Sequence, residues 1–483
     1  MATTVRDRAT RATRATEVSP PAPGRLNRAG GQGPGAALGA AVLGMVLIIL
    51  DVSAVNIALP SMAEGLHGGM AGLQWVVDSY TLFFAALMLS AGALSDRIGA
   101  RRAYGWGIVA FTAASLGCGL APAMGPLIAT RVLQGAAAAV MMPTSLALIR
   151  QAHTDQARRA RAVAVWASAG AIAMAAGPVL GGLLTTTVGW RYVFFLNVPV
   201  GVLAVVLLAR VAPSPRRTAA FDLPGQLTAV VALTALTFAV IEGGHTGYGS
   251  PLVLGATGLA LAAGAAFAAV ERRQQDPMVP LGLLRRSTVS VPLLVGFAIN
   301  VAFYGAIFVL GLFFQQVRGQ SALSAGLMFV PMALSTAVLN LVSPRLTARI
   351  GERTVLVVGQ LVLGAGLLSL TAVDAGGSAA LVTLLLIPVG VASALVVPAL
   401  TSLLLDSVER ERAGTAAAML NTSRQTGGAL GVALFGTFIA GRADAFVPGM
   451  RLSMAVAAGV LTATALAAWT LLRVPEGGKP ACV

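Results

Sequence analysis

One carboxylate in this chain stands where carboxylates are costly. Asp51 falls inside an apolar run, ALGAAVLGMVLIILDVSAVNIALP at 37–60, roughly 13 Å from the end of the helix such a run would form at 1.5 Å per residue. An acid in that setting costs about 3 kcal/mol and marks function by default. Burial favours its neutral form, so it is a group that can take up and release a proton. Arg131 lies about 8 Å from the end of another apolar run, with Gln134 and Gly135 on the same helical face. The two charges can pair and separate as the acid is protonated, or they can be a fixed polar tie between helices. A third polar group, Asn421, Arg424 and Gln425, has the i, i+3, i+4 spacing that puts side chains on one face. With no further acid centrally placed in a run, Arg424 either faces a hydrated cavity or meets an anionic group of a bound molecule. Asn56, Gln134, Gly135, Asn421, Arg424 and Gln425 are therefore the candidate cavity residues.

Two further segments combine small and bending residues. GAIAMAAGPVLGG at 170–182 offers Gly170, Gly177, Gly181 and Gly182 for close helix contact, and Pro178 removes one backbone hydrogen bond and bends the helix. GALSDRIGARR at 92–102 is a short basic turn holding Gly92, Asp96, Arg97, Gly99, Arg101 and Arg102, in which Asp96 can attract a helix N-terminus and latch one conformation. Asp78, near the end of its run, reads as a solvated cap. No catalytic constellation is visible. His67, His153 and His245 stand singly, and Cys118 and Cys482 supply neither a disulfide framework nor a metal site. No enzyme, metal or cofactor is expected.

The elements that must position these residues are membrane helices. Hydrophobic residues make up 57% of the 483 residues and charged ones 11%, far from the composition of a water-soluble globule. Apolar runs near 37–60, 74–94, 103–122, 126–149, 161–187, 193–211, 224–242, 251–271, 288–314, 324–346, 354–373, 379–405, 413–440 and 450–472 predict fourteen spans. The tails and even-numbered loops carry 27 of the 33 Lys+Arg residues, which places both termini in the cytoplasm. Scattered between spans, the net charge of +15 makes no single basic face for nucleic acid. Arginine predominates, with Lys479 the one lysine, which reads as the codon bias of a GC-rich genome. A bacterial cytoplasmic membrane is the expected location.

The chain also repeats. RIGAR at 97–101 returns as RIGER at 349–353, Gly135 and Pro143 return as Gly390 and Pro398, and GPVLG at 177–181 is echoed by GGALG at 427–431, at offsets of 252, 255 and 250 residues. The expected organisation is a tail at 1–35, a six-helix bundle at 36–211, a linker at 212–287 with two inserted helices, a second bundle at 288–472 and a tail at 473–483. Such repeats place a substrate site at their interface.

These segments resemble the motifs of the major facilitator superfamily, specifically its fourteen-span drug:proton antiporters. LDVSAVNIALP (50–60) is similar to the first-span motif, GALSDRIGARR to the loop between spans 2 and 3, RVLQGAAAA (131–139) to the fourth-span arginine motif, and GPVLGG with WRYVFFLNVPVG (190–201) to the antiporter motif and its sequel. Ala100 departs from the pattern where a basic residue is common. The resemblance implies an all-α fold of two bundles rocking about a central cavity, with protons entering as a drug or metabolite leaves. By the same resemblance Asp51 and Arg131 are linked to proton coupling, Gly92, Asp96 and Arg97 to gating, and Gly177 and Pro178 to antiport. The expected partners are a small-molecule substrate, protons and the lipid bilayer, with the chain acting as a monomer on the proton gradient. A nutrient symporter or facilitator shares the fold, and a non-transporting sensor or scaffold would more often carry a folded soluble domain.

Overall fold

A computed structural model describes residues 33–216, 222–274, 277–374, 376–409, 412–440 and 445–472. The tails expected at 1–35 and 473–483 lie outside the described residues, apart from 33–35. Among those residues the chain forms fourteen rods and no strand: α1 (Pro34–Leu66), α2 (Met70–Ile98), α3 (Ala100–Leu120), α4 (Met124–Ala152), α5 (Gln156–Thr187), α6 (Arg191–Ala209), α7 (Leu223–Thr246), α8 (Pro251–Arg273), α9 (Ser287–Val317), α10 (Ala322–Ile350), α11 (Glu352–Leu370), α12 (Ala379–Asp406), α13 (Ala413–Ile439) and α14 (Phe446–Leu471). Thirteen are long and apolar enough to cross a membrane. The other, α13, is 27 residues long and falls short because Asn421 to Gln425 interrupt its apolar character.

The rods start and stop for local reasons. Asp155, Asp222 and Ser250 cap α5, α7 and α8 by accepting from the backbone N–H groups of Arg158, Gly225 and Val253. Pro331 and Pro388, which lack an N–H, follow the breaks within α10 and α12 at Phe329 and Leu386. Gly99 and Gly351 end α2 and α10 at φ of +89° and +82°, a conformation that only glycine adopts without strain. Their sequence separation is 252 residues, so the two basic turns are built alike.

The same duplication appears in the packing. Gly135 of α4 lies against the carbonyl of Tyr80 on α2, and Gly390 of α12 against the carbonyl of Met332 on α10. Gly181 of α5 sits on Ala54 of α1, where an added Cβ would lie 2.7 Å from the carbonyl oxygen, and Gly431 of α13 sits likewise on Val301 of α9. Glycine at these points lets backbones touch, which drives helix association where lipid removes the hydrophobic effect. Thus α1–α6 pack on one another, as do α9–α14.

The halves meet along α2–α13, α5–α10 and α1–α9. Helix α1 begins and α14 ends at the same end of the bundle, the Arg-rich end; the other end is Arg-poor. Cross-half hydrogen bonds run from Gln74 Nε2 to the Ala433 carbonyl (2.7 Å), from Gln315 Nε2 to the Ile57 carbonyl (3.0 Å) and from the Leu323 N–H to Thr186 Oγ1 (3.3 Å). All three lie in the Arg-poor half, and Thr422 to the Ala85 carbonyl (3.3 Å) adds one nearer mid-depth. Gly182 presses on Ala322 and Gly326 on Pro178 at the Arg-poor end. The inserted helix α7 lies across α2 and α13. Gln226 of α7 donates to the Ala86 carbonyl and accepts from Ser90, Phe238 packs near Trp75, and Thr437 donates to the Val240 carbonyl. The partner helix α8 packs on α7.

Candidate functional site

Asp51 and Arg131 form an ion pair, each about 1% exposed. Four other groups complete it. Gln134 Nε2 and Asn197 Nδ2 donate to Asp51 Oδ1 at 2.8 and 3.0 Å. Arg131 donates through Nε to the Val76 carbonyl at 2.9 Å and through Nη1 to Gln134 Oε1 at 2.9 Å. Its guanidinium lies 4.3 Å from the centroid of the Tyr80 ring. Asn197 also donates to Ser115 Oγ, which in turn donates to the Phe194 carbonyl, both at 2.9 Å. A buried pair is tolerated when its remaining donors and acceptors are met in this way, and helices α1, α2, α3, α4 and α6 each contribute.

The pair does not open into the central cavity. That cavity, about 310 Å³, lies between the halves, and α1 presents to it Ile49, Val52, Ser53 and Asn56, the face beside Asp51 rather than Asp51 itself. Gly170 and Pro178 of α5 line it, as do Asn300 and Tyr304 of α9, Thr336 of α10 and Arg424 of α13. The wall is otherwise mostly apolar. Proximity is the link between the two sites: Gly177 abuts Ser53 and Gly181 abuts Ala54, so α1 carries the ion pair on one face and the proline-containing helix α5 on another.

Four of the expected cavity residues stand elsewhere. Gln134 is spent on the ion pair, and Gly135 is pressed against the Tyr80 backbone. Asn421 and Gln425 share the polar patch with Arg424 but do not reach the lining, because only part of a helix face can border a void. Asn56 and Arg424 do line it. In the basic turn, Arg101 is fastened to its own half. Its N–H donates to Ser214 Oγ at 3.0 Å, and its guanidinium donates to the Leu208 and Ala209 carbonyls at 3.3 and 3.2 Å, where the α6 C-terminus attracts a cation. Asp96 and Arg97 are exposed, and among the described residues Asp96 bonds to nothing in the other half. Arg102 is exposed as well, and a Cβ on Gly92 would meet open space. The latch expected of Asp96 is thus unmade in an arrangement joined at the opposite end.

Asp78 corrects the expectation of a solvated cap. It is fully buried, and among the described residues neither carboxyl oxygen has a partner. It stands one turn from Gln74, on the face of α2 that meets α13. Sequence reading missed it because an acid near the end of a run looks the same whatever packs over it. Asn197 was missed as a partner of Asp51; the available signal was a lone amide within the apolar residues of α6.

The family model described as Major Facilitator Superfamily matches residues 41–432. The chain is 35% identical over 443 residues to the methylenomycin A resistance protein of Streptomyces coelicolor, covering 92% of this chain and 93% of that one. It is 36% identical to the puromycin resistance protein pur8 of Streptomyces alboniger, covering 88% and 89%, and 37% identical to the multidrug resistance protein Stp of Mycobacterium tuberculosis, covering 82% and 74%. In fold it is similar to the D-xylose-proton symporter, with a TM-score of 0.65 at 15% identity over 91% of this chain and 98% of that one. It also resembles the human organic anion transporter MFSD10, with a TM-score of 0.62 at 16% identity over 90% and 99%. With its motifs in order along fourteen helices, the chain belongs to the major facilitator superfamily, among relatives that carry drug- and antibiotic-resistance names.

Proposed function

We propose that the protein is a proton-coupled antiporter that exports drugs, antibiotics or hydrophobic metabolites by alternating access. It would act as a single chain in the bacterial cytoplasmic membrane, with the Arg-rich end and both tails in the cytoplasm and the proton gradient in place of any cofactor. The observation that carries this reading is the sealed Asp51–Arg131 pair on the helix whose next face lines the cavity. Protonating Asp51 cancels its charge and weakens its hold on Arg131, which keeps the Val76 carbonyl, Gln134 and the Tyr80 ring as partners. α1 is then free to shift against α4. Any such shift reaches α5 through Gly177 and Gly181, and the other half through the contact of Gly182 with Ala322. A proton and a substrate thus favour opposite positions of the same helix, which is the condition for exchange.

Resistance names among the relatives support drugs as substrates and give puromycin a place in the assay panel. In liposomes bearing an imposed pH gradient, wild-type protein is expected to move protons when a panel drug is added, and Asp51→Asn to lose that movement. Drug flux without proton flux in either protein would reduce the mechanism to facilitated diffusion.

A further inference from the structure

We infer that the central cavity holds molecules carrying a carboxylate or a comparable anionic group, bound by the Arg424 guanidinium with the Tyr304 hydroxyl and the Asn300 amide beside it. This deepens the export reading and rests on it only for the direction of movement, because binding belongs to the cavity itself.

Among the described residues, Arg424 is the one charged residue in the lining, and no acid borders the void. Among them, too, it forms no ion pair. Arg131, by contrast, is paired with Asp51 and bonded to Val76 and Gln134. The Arg424 stem rests on Gly296 of α9, where an added Cβ would lie 3.0 Å from its Cγ. Tyr304 packs its ring on Gly428, one turn beyond Arg424 on α13, where an added Cβ would lie 3.1 Å from the ring Cδ2. Asn300, one turn before Tyr304 on α9, is 3% exposed, lines the same void, and its Nδ2 has no partner among the described residues. One wall therefore gathers a guanidinium, a hydroxyl and an amide donor with no carboxylate from the protein to meet them. Of these donors Asn300 Nδ2 is buried and unmet, which is costly, and the half-buried guanidinium beside it fits a carboxylate with two parallel bonds. The other half contributes Met45, Ile49, Trp166 and Met174 beside Ser53 and Asn56, so the rest of the occupant is largely apolar. A lipophilic cation would face Arg424 without a counter-charge, and repulsion of that kind discriminates as strongly as attraction.

The probes are 1-naphthoate, its neutral analogue 1-naphthamide, and tetraphenylphosphonium, titrated against purified full-length protein by calorimetry. Wild type is expected to bind naphthoate on the order of tenfold or more tighter than naphthamide. Arg424→Gln should erase that preference and Arg424→Lys should keep part of it, with monodisperse elution confirming that both are folded. Equal affinity for naphthamide or for the phosphonium in wild type, or naphthoate binding unchanged in Arg424→Gln, overturns the inference. Proton flux separates the two readings. An Arg424-dependent preference for naphthoate without coupled protons sinks antiport and leaves the anion site. Coupled export of the phosphonium with no such preference does the reverse.

Discussion

Removing either member of the Asp51–Arg131 pair strands the other charge away from water, and the size of that penalty orders the variants. Arg131→Ala leaves Asp51 with only amide donors and is expected to lose about 3–5 kcal/mol, seen as a collapse of the melting temperature in detergent. Asp51→Asn is milder, because its amide oxygen still accepts from one or two of the donors that surround Asp51. It should melt within a few degrees of wild type while failing to couple protons, which keeps the liposome assay informative. Asp78 is the opposite case. A buried carboxyl with no partner is tolerated in its neutral form, so Asp78→Asn is expected to change stability by less than about 1 kcal/mol. If Asp78 takes part in the proton path, the variant moves fewer protons per substrate, read from the reversal potential of transport; an unchanged ratio assigns Asp78 a packing role.

Helix α5 translates a residue-scale event into a movement. Its glycines touch α1 on one side and α10 on the other, while Pro178 lets the rod bend between them. Gly182→Val places methyl groups against the Ala322 backbone and should cost about 1–3 kcal/mol of fit, all of it in the arrangement closed at the Arg-poor end. The population then shifts toward the opposite opening. A cysteine placed at Met174 in the cavity wall should react with a membrane-impermeant maleimide from the Arg-poor side in the Gly182→Val background and stay protected without it. The composition of this helix was legible from the chain alone, since GAIAMAAGPVLGG announces close contact and a bend. Its partners were not: Ala322 is remote in sequence, and nothing in a run of small residues names the surface it will meet. The same holds for the polar patch of α13, where i, i+3, i+4 spacing put Asn421, Arg424 and Gln425 on one side without revealing that only Arg424 reaches the void.

For the molecule as a whole, the duplication was readable because close-packing glycines recur at nearly constant offsets, and their contacts recur with them. The state of the two halves was not readable, since it rests on bonds such as Gln74 to Ala433 that join residues 359 apart. That state is testable by locking it. With Cys482 replaced by Ser, cysteines at Thr186 and Leu323, which touch across the halves, should form a disulfide on oxidation, stop transport, and restore it on reduction. Continued transport by the cross-linked protein would mean that the Arg-poor ends need not part. The inserted hairpin adds a directional consequence. Because α7 is tied to α2 through Gln226 and to α13 through Val240 and Thr437, it roofs one seam between the halves. Lipid-dissolved molecules approaching that flank therefore meet α7 before they meet the α2–α13 seam, a cover that the α5–α10 seam on the other flank is not given by the inserted pair.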